Sequence, residues 1–357
     1  MSKKYSITIL GAGNGGQAMA GHFGKLGYDI TLFNRNTDQF TDIITTKKIT
    51  LSGFIQGDGK VKKVTNNYQD AIDDADIIMV TTVASAHKEV AKNIAPYLKE
   101  NQIILLNPGR TLGALEFRNE VENYSNKRVY IAEAQSLIYA CRAEGKGKVR
   151  IIGVKNKVPL AAYPSTDTDY VLNIINQIYN CFIKAKSVLE TSLENIGAIF
   201  HPSVVMFNAA SIERGDMFYF YNDMTPTIAD FLMKLDKERL LIGKSFGLDL
   251  ISVSDWVSFS YSNIQGDTLC DKMKNNPAYF LITAPDKLET RLVTEDLPTG
   301  ILPFMELAKL AKVEVPLLTA VFNIMESLLK VDFKTNGRTL KNLGIDHLSK
   351  EQFINSL

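Results

Sequence analysis

Short β-branched runs alternate with stretches of helical period from residue 5 to about residue 155. The runs at 6–10, 29–33, 76–82, 102–106 and 128–132 predict strands, and 15–26, 86–98 and 112–122 predict the helices between them. This alternation is how a parallel sheet covered by helices reads. Gly145-Lys146-Gly147, followed by apolar runs at 149–154 and 160–162, predicts an antiparallel hairpin closing this half. Beyond Pro164 the period changes. Val171, Ile174, Ile175, Ile178 and Tyr179 recur at helical spacing, after Asp and Thr residues suited to a helix start. Thr225-Pro226 opens a long helix with Thr as N-cap and Pro at the first helical position, and 302–312 and 316–329 predict two more. The expected fold class is α/β: an N-terminal Rossmann, doubly wound sheet followed by a mostly α-helical domain. The change of period places the boundary between 165 and 190, drawn here as 1–185 and 186–357.

Composition narrows the function. Forty basic residues against thirty-nine acidic ones leave no footprint for nucleic acid or an anionic membrane. The N-terminus runs from Met1-Ser2-Lys3-Lys4 straight into a strand without a signal-peptide core, and no apolar run approaches a membrane span. A soluble, cytoplasmic protein is expected. Cys141, Cys181 and Cys270 are odd in number, far apart and without C-x-x-C spacing, which fits a reducing compartment, buried thiols and no metal site. A homodimer is the expectation for a soluble protein of this kind.

Ile7-Thr8-Ile9-Leu10 leads into Gly11-Ala12-Gly13-Asn14-Gly15-Gly16, and a helical pattern follows. Strand, G-x-G-x-x-G and helix in that order predict a dinucleotide site: Gly11 for the tight turn, Gly13 for approach to the pyrophosphate, Gly16 for close packing of helix on strand. The helix start, through Asn14 and Gly15, offers free N–H groups and a positive dipole to phosphate. After the second strand, Asn34-Arg35 stands where an NAD enzyme usually carries the acid for the ribose 2′-hydroxyl. Asn34 does not repel a 2′-phosphate and Arg35 can pair with one, so NADP is favoured over NAD. Arg35 as a plain surface cation, and Asp38 nearby, keep NAD open.

A dehydrogenase needs a proton donor or acceptor beside the reacting carbon, and histidine suits that task. Of the four histidines, His22 falls within the first helix at a core edge or surface, His87 opens a helix where capping or packing suffices, and His347 lies in a polar tail. His201 precedes Pro202 in an apolar helical stretch, where proline would kink or restart the helix and aim a side chain into a cleft. A catalytic role and a satisfied core histidine are both open for it. Arg291, Glu295 and Asp296 lie in a segment with Pro298, Gly300 and Pro303, which turn residues alone would explain. The three charges read either as a surface ion pair or as an anion clamp with a carboxylate that orients a histidine. Thr225 marks a helix start that either is simply capped or holds a carboxylate. Met206, Phe207, Phe218, Tyr219 and Tyr221 line a pocket or fill the core.

Taken together, the opening Gly-Ala-Gly-Asn-Gly-Gly, Asn107-Pro108-Gly109 after the fourth predicted strand, Gly197-x-x-x-His201-Pro202 and Arg291-x-x-x-Glu295-Asp296-x-Pro298-x-Gly300 resemble the octopine/nopaline (opine) dehydrogenases along essentially the whole chain. The resemblance implies NAD(P)H-dependent condensation of an α-keto acid, pyruvate by expectation, with the amino group of an amino acid through an imine. It implies His201 as general acid/base, Asp296 as its partner and Arg291 as the holder of a substrate carboxylate. Two rival readings stand beside it. One is a keto-acid, hydroxy-acid or glycerol-phosphate-type reductase, several of which use a catalytic lysine. Lysines at 184, 186, 234, 237 and 244 have no setting comparable to His201-Pro202. The other is a non-catalytic dinucleotide sensor, which would have no need of His201, Arg291 and Asp296 together.

Overall fold

The structure, a computed structural model, describes residues 4–261 and 264–357. It divides into two compact units, 1–109 with 113–188, and 110–112 with 189–357.

Among its described residues the first unit holds twelve strands: β1 (Ser6–Leu10), β2 (Asp29–Phe33), β3 (Lys48–Gly53), β4 (Gly57–Lys60), β5 (Lys63–Thr65), β6 (Ile77–Val80), β7 (Ile103–Leu106), β8 (Tyr130–Ala134), β9 (Tyr139–Gly145), β10 (Lys148–Val154), β11 (Val158–Tyr163) and β12 (Phe182–Lys184). Eight form one sheet in the order β12-β11-β8-β7-β6-β1-β2-β5. From β5 to β8 every pairing is parallel. The strand order runs one way from β1 through β2 and the other way from β6 through β7, so the sheet is doubly wound with its switch point beside β1 and β6. Ligands of open α/β sheets bind outside the carboxyl ends of the strands at such a point. β6 and β7 are buried at every position, as strands covered on both faces must be, which is why they read as continuous apolar runs.

The hairpin differs from expectation. β10 pairs antiparallel with β9 across Gly145-Lys146-Gly147, whereas β11 leaves for the large sheet and pairs antiparallel with β8. A single apolar run is compatible with either sheet, and only the partner edge selects one. β9 and β10 join β3 and β4 in a second sheet of order β4-β3-β10-β9. That sheet packs on the first helix, Asn14–Lys25. Contact there is backbone to backbone: a Cβ on Gly24 would lie 2.1 Å from the Lys60 carbonyl oxygen, and one on Gly59 would lie 1.8 Å from that of Gly21. β4, Gly-Asp-Gly-Lys, carries no apolar side chain and so leaves no hydrophobic pattern to read.

The second unit is helical. Its 20-residue helix Pro226–Ser245 packs against Ile196–Phe207, Leu302–Ala311 and Pro316–Leu329. Arg239 lies fully buried in that helix and donates to Asp236 at 2.7 Å and to the carbonyls of Leu193 and Ile251 at 3.0 and 2.7 Å. Glu238 accepts the N–H groups of Leu317 and Leu318, both at 2.8 Å, placing a carboxylate on the positive end of the Pro316–Leu329 helix. No helix among the described residues is long and apolar enough to cross a membrane.

Candidate active site

In the first unit, the glycine turn joins β1 to the Asn14–Lys25 helix. Gly11 sits at φ +105°, a conformation that favours glycine, and its N–H donates to the Phe33 carbonyl at 3.0 Å. Thr81 donates its hydroxyl to the carbonyls of Gly11 and Leu10 at 2.9 and 3.1 Å, fixing the turn from the neighbouring strand. A Cβ on Gly16 would overlap the Gly11 oxygen at 1.8 Å, whereas one on Gly13 would meet nothing within 4 Å. The helix N-terminus has no side-chain cap. Bare amides at a helix start beside open space suit a pyrophosphate, so these residues fit a dinucleotide.

The Asn14 side chain accepts the Ala143 N–H at 3.0 Å and thereby ties the turn to β9. Asn34 accepts the Ala12 N–H at 3.3 Å and donates to the Asn36 carbonyl at 2.7 Å. Arg35 is exposed and only loosely paired with Glu89, at 3.4 Å. His22 is buried in the core of this unit rather than at its edge. Its Nδ1 lies 2.8 Å from the Tyr139 hydroxyl, and burial, then Lys25, lowers its pKa to about 4. His87 is buried and packs edge-on to Phe117, and His347 is exposed. Cys181 and Cys270 are buried and Cys141 partly so; burial pushes the Cys141 and Cys181 thiols up to about 12.

In the helical unit, His201 lies within the helix Ile196–Phe207, which continues through Pro202 and does not restart there. Proline removes one hydrogen bond, but Ile199, Phe200, Ser203 and Val204 are all buried, and this packing holds the helix together. Residues 291–301 run alongside as a helical turn, Arg291–Thr294, and a π-helical stretch, Leu297–Ile301, where only turns were expected. Gly300 permits the approach: a Cβ there would come within 2.6 Å of the Ala198 Cβ. Asp296 thereby reaches His201, with Oδ2 2.6 Å from Nδ1.

Asp296 is 1% exposed and His201 15%. The cation facing Asp296 is Arg110, a residue the sequence reading passed over. Its Nη1 lies 3.4 Å from Asp296 Oδ1 and donates to Asn195 Oδ1 at 3.1 Å, while Nη2 lies 3.5 Å from Glu295 Oε2. Gly197 makes room, since a Cβ there would stand 2.6 Å from Arg110 Nη1 and 3.2 Å from His201 Cε1. Burial alone would raise the Asp296 carboxyl, but Arg110 and then His201 override it, and Asp296 is held below its ordinary range. Burial likewise opposes the Arg110 charge, and Asp296 and Glu295 raise it above its usual value. The result is a buried carboxylate that fixes one tautomer of His201 and a buried guanidinium that keeps the carboxylate ionised.

Arg291 stands outside this core. Its side chain is 62% exposed and lies 3.4 Å from Glu295 Oε2, the same carboxylate oxygen that meets Arg110. Thr225 accepts the Ile228 N–H at 3.4 Å as the cap of its own helix. Among the five apolar and aromatic candidates, Tyr221 reaches the histidine, with its hydroxyl 3.1 Å from Nε2. Nothing in linear spacing pointed to Arg110 or Asn195. The one signal was Arg110 following Asn107-Pro108-Gly109 directly.

The alpha-helical domain of the NAD/NADP octopine/nopaline dehydrogenases matches residues 184–329, and ketopantoate reductase PanE/ApbA matches residues 7–133. An opine dehydrogenase of Arthrobacter sp. (strain 1C) is 35% identical over 98% of this chain and 98% of its own. The chain belongs to the opine dehydrogenase family. As a member it is an NAD(P)-dependent oxidoreductase acting on CH–NH donors, and its reaction is the reductive condensation of an α-keto acid with the amino group of an amino acid. The octopine dehydrogenase of Pecten maximus is more distant, 23% identical over 87% of this chain and 86% of its own. The solved structure of an octopine dehydrogenase with NADH and L-arginine has the same fold, with a TM-score of 0.82 at 20% identity over 99% of this chain and 98% of that one.

Proposed function

We propose that this opine dehydrogenase joins pyruvate to the amino group of an amino acid, with His201 as general acid/base and Asp296 as the carboxylate that orients it. The observation that carries this reading is the 2.6 Å contact from His201 Nδ1 to Asp296 Oδ2, made by a buried carboxylate. A histidine held on one nitrogen by an anion presents the other to protons that must move as water leaves and the imine forms. Arg291, exposed and one helical turn from Glu295, holds a substrate carboxylate in a bidentate fork. Thr225, at the start of the Pro226–Ser245 helix, serves a second carboxylate.

When bound, the reduced dinucleotide supplies the hydride that converts the imine to a secondary amine. Gly11, Gly13, Asn14, Gly15 and Gly16 would hold its pyrophosphate, and Asn34 and Arg35 would take the adenosine ribose. Arg35 is exposed and its ion pair with Glu89 is long, at 3.4 Å, so it can turn to a 2′-phosphate, which supports NADP over NAD. Residues 1–185, apart from Arg110 beside Asp296, then serve the cofactor and 186–357 the substrates, in a cytoplasmic homodimer.

The test is oxidation of NADPH and of NADH with pyruvate plus each amino acid in turn, beside pyruvate alone, for wild type and His201→Ala. Turnover should need both substrates and fall by about 10²-fold or more in the variant. NADPH should be the better cofactor, with the preference reduced by Arg35→Ala. Turnover on pyruvate alone would instead mark a keto-acid reductase.

A further inference from the structure

Both ring nitrogens of His201 are engaged: Nδ1 faces Asp296 Oδ2 at 2.6 Å and Nε2 faces the Tyr221 hydroxyl at 3.1 Å. An ionised Asp296 only accepts, so Nδ1 carries the proton directed at it and Nε2 is the nitrogen that exchanges protons with anything else. In this structure a hydroxyl stands at that nitrogen. We propose that Tyr221 is a further catalytic residue of the condensation, a hydroxyl that passes the proton between His201 Nε2 and the departing oxygen of the substrate adduct. The proposal rests on His201 being the general acid/base.

The phenol is placed by packing. Its ring stacks on Tyr279 with centroids 4.3 Å apart and an interplanar angle of 20°, and it meets Phe220 and Phe200 edge-on at 4.9 and 6.3 Å. The Phe220 N–H donates to the Ile282 carbonyl at 2.7 Å, and Tyr219 bridges to Thr283, so the backbone on the preceding side is pinned. Burial raises the Tyr279 hydroxyl well above its ordinary range, which leaves a neutral wall behind Tyr221. A side chain with two soft torsions, stacked on one face and edged on two sides, holds its oxygen in one place.

A hydroxyl both donates and accepts, so it can relay a proton and end unchanged. As the C–O bond of the carbinolamine breaks, the oxygen takes the Tyr221 proton and leaves as water. The nitrogen lone pair forms the C=N bond, and the imidazolium Nε2–H replaces the tyrosine's proton. His201 ends neutral and the positive charge resides on the iminium. Addition of water runs the same path backwards.

Tyr221→Phe removes the oxygen and keeps the ring. In the holoenzyme with a keto acid and amino acid pair, kcat should fall by about 10²-fold. NADPH affinity and melting temperature should stay at wild-type values, and the pH limb of kcat should move. Independently of turnover, the ¹⁵N resonance of His201 Nε2 should shift in the variant, because its hydrogen-bond partner is gone. A fluorinated tyrosine at 221, with a more acidic hydroxyl, should displace the same pH limb while retaining the contact. Wild-type kcat and an unmoved pH limb in Tyr221→Phe would overturn the relay, as would a change in KM alone. Absence of turnover in the wild type would sink the functional reading instead, while the resonance shift would still report whether the hydroxyl sits on Nε2.

Discussion

In the first unit the groups proposed to hold the pyrophosphate are backbone amides on one unbroken strand, turn and helix, from Leu10 to Lys25. In the helical unit the corresponding groups are side chains gathered from distant stretches. His201 and Asp296 are 95 residues apart in sequence, and Arg110 and Asn195 are 85 apart. The first arrangement depends on what is absent, namely a side chain at Gly11, Gly13 and Gly16. The second depends on charges that must compensate one another out of water. Function and stability are therefore separable in the turn and joined in the cluster.

The largest effect should come from removing the buried cation. Arg110→Met leaves Glu295 and Asp296, 5% and 1% exposed, without their shared guanidinium. Breaking such a pair from one side costs about 3–5 kcal/mol, read by urea unfolding. A variant within about 0.5 kcal/mol of wild type would show that the cluster does not hold its unit together.

Acid should drive the two units in opposite directions. His22 in the first unit has its pKa lowered by burial to about 4, so below the unfolded value of 6.5 the unfolded chain takes up a proton that the folded chain refuses. That unit loses about 3 kcal/mol as pH falls from 6.5 to 4. Glu194 in the helical unit has its pKa raised by burial from 4.5 to about 7, with Arg239 opposing, so its contribution is fully present below 4.5 and lost as pH rises through 7. The helical unit thus gains about 3 kcal/mol over nearly the same fall in pH. Asp296, held low, loses its own contribution only below the ordinary carboxylate range. Amide hydrogen exchange at pH 6.5 and 4.5 should show protection falling in one unit and rising in the other. Parallel changes would refute the contrast, and His22→Gln should remove the first slope alone.

Two neighbouring glycines sharpen the point on a smaller scale. Gly16→Ala forces a Cβ against the Gly11 oxygen and should cost about 1–3 kcal/mol along with cofactor binding. Gly13→Ala meets nothing in the chain. It should unfold within about 0.5 kcal/mol of wild type while NADPH affinity, measured by fluorescence titration, falls. Equal damage to stability from both would mean that the turn is built for folding and not for a ligand.

The same contrast governs how far the chain could be read in advance. Strands β1, β2, β6, β7 and β8 and the glycine turn stood out because a covered parallel strand is a local apolar run and a dinucleotide turn is a local spacing. β3, β4, β5, β9 and β12 are not among the runs the sequence predicts as strands, and β4 carries no apolar residue at all. It exists because Gly21 and Gly24 let a helix backbone lie against it. His201, Asp296 and Tyr221 were each visible as candidates, and the resemblance paired Asp296 with His201, but the residues by themselves did not show the meeting of the three. It depends on Gly300 closing on Ala198 and on Gly197 leaving room for Arg110, and neither approach has a linear signature.

The residues alone carried the doubly wound class, the dinucleotide motif and, through the resemblance, the family, since each is written in neighbouring positions whose period or spacing has one physical meaning. Tertiary packing decided that β11 would leave its hairpin for the large sheet, that the Ile196–Phe207 helix would run through Pro202, and that Arg110 rather than Arg291 would face Asp296. Those outcomes turn on which surfaces close together and which charges are taken out of water. Burial changes the strength of a charge pair far more than its sequence separation does.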